Sequence, residues 1–139
     1  MADPDFNTGL AHEQGGNVLR VKSGASIVSD LGGSIIFSAV DALVAFAGGG
    51  QANATPLTGL LNRVTTVATI ADSLLLPPAV PGLSVTVSNA AANSANIFPN
   101  GATDVINALA VQTAIALAGG KTIEFVCMKA GQWHTLLSA

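Results

Sequence analysis

An all-β fold is what this sequence predicts, on three observations. Short runs rich in β-branched residues recur along the chain, turn signals of Gly, Pro, Asn and Asp separate them at close spacing, and no long segment has a 3.6-residue period. Strands this short and this closely spaced point to a jelly-roll-like β-sandwich of short antiparallel strands with an extended N-terminal arm. Residues 1–17 (MADPDFNTGLAHEQGGN) carry Pro, Gly, Asn and charge without a period and read as that flexible arm. Residues 18–139 are of a size for a single domain.

The strands begin at Val18. Residues 18–22 end at Ser23-Gly24, residues 26–29 end at Asp30 before Gly32-Gly33, and residues 34–38 follow. Residues 39–47 satisfy either a helical turn or a buried strand, because periodicity does not separate the two over so short a run. Gly48-Gly49-Gly50 ends that element, and residues 51–59 read as a loop.

The second half is clearer. Residues 63–70 are β-branched and stop at Ala71-Asp72-Ser73, Leu74-Leu75-Leu76 is closed by Pro77-Pro78, and Pro81-Gly82 is a turn dipeptide. Residues 83–88 alternate apolar and polar side chains as a half-buried strand does, with residues 96–99 expected as the partner strand. Residues 104–110 read as a short irregular or helical piece, and residues 113–117 as a strand or its approach. The best hairpin follows Gly119-Gly120: residues 121–128 run out, Lys129-Ala130-Gly131 turns, and residues 132–137 run back.

Composition bounds the function. Half of the residues are hydrophobic but only 9% are charged, against about 25% in ordinary soluble domains. Either this is an unusually bland monomer or, the stronger reading, a subunit that hides much of its surface in an assembly. The cations Arg20, Lys22, Arg63, Lys121 and Lys129 form no run, so binding nucleic acid by phosphate neutralisation has no support. The opening MADPDFNTGL is acidic and polar, the reverse of a signal peptide. The most apolar window, residues 31–47, is interrupted by Gly32, Gly33, Ser34, Ser38 and Asp41, which argues for a buried core and against a bilayer.

No catalytic, cofactor-binding or metal-binding residue is predicted. Cys127 stands alone among apolar neighbours and reads as a core residue. His12 and His134 are far apart in sequence, and Asp72 and Asp104 fit turn or cap positions whose side chains accept from nearby backbone N–H groups. Gly119-Gly120-Lys121-Thr122 ends like a phosphate loop, but Ile115 stands where the first glycine belongs and a strand, not a helix, follows. Trp133, the single Trp, reads as a core or interface anchor rather than a ligand platform. Phe6 and Leu10 on the arm, with Trp133, are the candidate protein-interface residues.

The stretches 62–69 (NRVTTVAT), 72–77 (DSLLLP) and 81–89 (PGLSVTVSN) resemble a module of tailed-bacteriophage structural proteins. So do 93–99 (NSANIFP), 104–107 (DVIN), 120–127 (GKTIEFVC) and 131–134 (GQWH), and the resemblance spans roughly residues 62–137. The chain is similar to the small cement or decoration proteins of podovirus-type capsids. That resemblance implies a jelly-roll-like, commonly trimeric protein of the outer capsid surface that bridges neighbouring major-capsid subunits. The partners it implies are further copies of this chain and the major capsid protein, with no nucleic acid and no membrane. A phage fibre or receptor-binding module, working through loops 51–59 or 90–96, is the alternative.

Overall fold

The computed structural model describes residues 10–12, 19–21, 33 and 35–136. The chain divides into two compact units, Met1–Ile36 and Phe37–Ala139. In the first, β1 (Leu10–His12) pairs antiparallel with β2 (Leu19–Val21), placing Leu10 opposite Val21 and His12 opposite Leu19. Phe6, most of the arm expected over residues 1–17, and the strand expected over residues 26–29 lie outside the described residues.

The second unit holds the remaining strands: β3 (Ala39–Val44), β4 (Thr55–Pro56), β5 (Leu61–Thr66), β6 (Asp72–Leu75), β7 (Ser84–Asn89), β8 (Ala95–Phe98), β9 (Val105–Ile106), β10 (Ile115–Leu117), β11 (Thr122–Lys129) and β12 (Gln132–Leu136). Among the described residues there is no helix, hence none long and apolar enough to cross a membrane. From β3 to β8 successive strands alternate between two sheets, one ordered β3-β5-β7-β11-β12-β9 and the other β10-β8-β6-β4. Each strand therefore lies parallel to the strand two places before it. Leu61 sits beside Ala39, 22 residues earlier, and Thr86 beside Leu61, 25 residues earlier. In the smaller sheet Ile97 lies beside Leu74, 23 residues earlier. The chain thus winds as a β-solenoid of stacked coils.

This corrects the expected antiparallel jelly-roll sandwich. The expectation of all-β structure holds, but β7 and β8, expected to pair with each other, belong to different sheets: β7 joins β5 and β11, and β8 joins β6 and β10. Alternation of apolar and polar residues identifies a half-buried strand without naming its partner. The segment between β7 and β8 rounds a corner of the coil where a hairpin was expected. Residues 39–44, open between helix and strand, are β3, and residues 55–56 of the expected loop are β4.

The winding ends after β8. β10 lies antiparallel to β8, β11 antiparallel to β7, and β12 returns antiparallel to β11 while pairing parallel with β9. The terminal hairpin forms where the sequence places it, with Cys127 opposite Trp133 and a bulge between Cys127 and Lys129. It sits at the approach to a tight point. A Cβ on Gly119, in the turn between β10 and β11, would collide with the carbonyl groups of Ala91 and Ala92, so only glycine fits.

The core is enclosed by the two sheets. Val64, Val85, Val87, Phe125, Cys127 and Trp133 enter it from the larger sheet, and Leu74, Ala95, Ile97 and Leu117 from the smaller. Phe125 and Trp133 meet edge to face, with ring centroids 6.5 Å apart and planes at 82°. Small aliphatic residues fill the space around this one aromatic pair, so the pair carries an outsized share of the packing. Phe125→Ala is expected to cost about 4 kcal/mol of unfolding free energy, the usual loss for truncating a buried Phe. Chemical denaturation with intrinsic Trp fluorescence checks this, and a midpoint equal to that of the wild type would show that Phe125 does not support the core.

Candidate interaction surface

A solenoid corner turns backbone carbonyl and amide groups away from the sheets, and each needs a partner. Here side-chain amides supply many of them. Asn93 Nδ2 donates to the carbonyls of Val67 (2.9 Å) and Ala68 (3.0 Å), roughly one coil earlier. Asn100 Nδ2 donates to the Leu76 carbonyl at 3.1 Å, again across one coil. Asn62, itself buried, donates to the Gly59 carbonyl at 2.7 Å and accepts from the Gly59 N–H at 3.2 Å. Asn89 is fully buried and makes three such bonds: to the carbonyls of Asn93 (2.9 Å) and Leu117 (3.0 Å), and from the Ala91 N–H (3.1 Å).

Asp72 does the same work with a charge. Its carboxylate accepts from the Thr69 hydroxyl at 2.6 Å, the Thr69 N–H at 2.9 Å and the Gly48 N–H at 3.4 Å. The Thr69 hydroxyl first, and the backbone N–H groups after it, hold this carboxyl below the usual Asp range. Asp72 is buried, and its hydrogen bonds outweigh desolvation in setting that direction.

With the inward residues committed to the core, function falls to the outward ones. Across the larger sheet one outward row reads Ala39, Leu61, Thr86, Glu124, Leu136, from the aligned registers of β3, β5, β7, β11 and β12. The flanking rows bring Ser84, Val126 and His134 on one side and Arg63, Ser88 and Thr122 on the other. Ser84 donates to Glu124 at 2.7 Å, and Arg63 pairs with Asp41 at 2.9 Å on the exposed edge, where water screens the attraction. The centre of the face is thus Ser84, Thr86, Ser88 and Thr122 around Glu124, with Phe37 (57%), Leu61 (45%), Leu136 (52%) and Met128 (72%) exposed. A shallow depression of about 240 Å³ lies between Phe37, Leu61, Thr86 and Glu124. A larger groove of about 410 Å³, lined by Leu57, Leu60, Leu76, Pro77 and Leu83 among others and by no charged residue, opens at the coil corner.

No family model, curated protein or solved structure matches this chain. Of the sequence-derived interface candidates, Phe6 lies outside the described residues, Leu10 opens β1, and Trp133 is wholly buried in the core. His134 stands on the outer face opposite Val126, and His12 ends β1. Among the described residues no three His, Cys, Asp or Glu side chains converge as a metal-binding group. The outward row through Leu61 and Leu136 was not singled out from sequence. Its members are spread over five strands, and only the register brings them together.

Asp72 gives a pH test. A carboxyl with a lowered folded value adds stability that is fully present above the ordinary Asp value of 3.8 and is lost as pH falls through the lowered value. Asp72→Asn should melt below the wild type at neutral pH, and the gap should narrow progressively below about pH 4. Thermal unfolding monitored by circular dichroism between pH 2 and 7 checks this, and a gap that stays constant with pH would refute the assignment.

Proposed function

We propose that this chain is a non-enzymatic structural protein of a tailed-phage particle, which binds the outer capsid surface as an oligomer and cements neighbouring major-capsid subunits. The observation that carries the reading is the group of apolar side chains, Phe37, Leu61, Met128 and Leu136, exposed on the outer side of the larger sheet. Exposed apolar side chains grouped on one face mark a contact surface, and a chain with only 9% charged residues has little repulsion to keep copies apart. The setting on a capsid rests on the sequence resemblance of residues 62–137 to podovirus-type cement proteins alone, since the jelly roll which that resemblance implies is not the fold of this chain.

The mechanism is mechanical. Coils that share hydrogen bonds with both neighbours make a stiff body. Burying the outer face against copies of the chain and against capsid subunits adds binding free energy only to the assembled shell, and so stabilises it by linkage. A fibre module is the second reading, favoured by the winding itself, because stacked coils extend naturally along one axis.

Copy number separates the two: a cement protein should approach the stoichiometry of the major capsid protein on purified particles, whereas a fibre should be present in few copies. The face is tested directly by Leu61→Asp and Leu136→Asp. Each should weaken self-association roughly tenfold, the equivalent of about 1.4 kcal/mol, with an unchanged far-ultraviolet spectrum. Analytical ultracentrifugation reads the effect, and wild-type association in both variants would rule out this face.

A further inference from the structure

We propose that the first coil carries a built-in stop that prevents copies of this protein from adding to one another coil on coil. A solenoid has two ends, and each end coil presents strand edges whose unpaired N–H and C=O groups are a template for another coil. At one end the regular winding is terminated by β9, β10, β11 and β12, of which β10 and β11 lie antiparallel to the coils they meet. At the other end the edges, among the described residues, are β3 in the larger sheet and β4 in the smaller.

Both edges are blunted, by unrelated means. In β3, Val40 stands opposite Asn62 and Leu43 opposite Val64, so Asp41 and Ala42 together face the single residue Arg63. That is a bulge, and Ala42 adopts φ 58° to make it. The Asp41 carboxylate accepts the Ala42 N–H at 2.6 Å and Arg63 Nη1 at 2.9 Å, which pins a charge at the rim of the edge. A second register shift follows between Leu43 and Val44. β4 is two residues long, and one of them, Pro56, has no N–H to donate. The same end exposes Val44 (55%) and Phe46 (40%), apolar surface that would reward stacking if the edges allowed it. In a chain so poor in charge, a carboxylate and a kink on β3, the long edge at this end among the described residues, direct association away from the edge and toward side-chain faces.

Two variants remove the guards separately. Asp41→Val takes away the pinned carboxylate, and Pro56→Thr restores the missing N–H on the other sheet. Sedimentation velocity and negative-stain images of each, and of the double variant, are compared with the wild type at matched circular dichroism. The expected result is a shift from the discrete wild-type species to a ladder of end-to-end multiples, greatest in the double variant. Folded single variants that retain the wild-type size distribution would overturn the proposal. Hydrogen exchange on the wild-type chain provides a readout independent of variant folding. The edge amides of residues 39–44 should exchange at the same rate in dilute and concentrated samples. Protection that grows with concentration would show edge pairing in the native protein and would also overturn it.

Discussion

Strand backbones in the second unit direct their N–H and C=O groups along the stacking direction, so the partner of each coil is the coil before or after it. Thr86 donates its N–H to the Leu60 carbonyl, Leu76 to that of Phe98 and Leu57 to that of Leu75, each across one turn of the winding. Lateral closure between the two sheets comes from side chains alone. A strand in such a body is satisfied only when its neighbours are in register, and the 19-to-25-residue offsets are the quantity that core, corners and outer face inherit.

The corners show how much follows from that register. A coil that turns without hairpins leaves carbonyls at its bends, and Asn93 and Asn100 reach those of the preceding coil. Asn89 and Asp72 serve the same need from buried positions. These bonds satisfy backbone groups at the bends around a core whose described aromatic pair is Phe125 and Trp133.

Much of the strand content was legible in the sequence. The alternation in residues 83–88 marks β7, the β-branched run from Arg63 marks β5, and the glycine-flanked runs near the end mark β11 and β12. Pairing was not legible, since parallel and antiparallel neighbours impose the same alternation on a strand with one buried face. A repeat was present but disguised. Leu74-Leu75 and Ile97-Phe98 occupy equivalent places one coil apart, and Pro77 and Pro99 follow each. The bends between them differ, however: Pro81-Gly82 precedes β7, whereas Asn93 and its neighbours precede β8. Trp133 was recognisable as an anchor by its rarity; that it anchors the core depends on Cys127 opposite it and Phe125 beneath, which only the register reveals.

The position of β11 bears on how the protein is made. Its Phe125 pairs with Val85, forty residues earlier in the chain, and Trp133 follows still later, so the largest core side chains are synthesised after the coils they fill. A nascent chain emerging from the ribosome can begin to wind β3 to β8 but holds an open, apolar trough until residues 122–136 arrive to close it. On this order of synthesis the coils of β3 to β8 lack their two largest core side chains, Phe125 and Trp133, until β11 and β12 have been made.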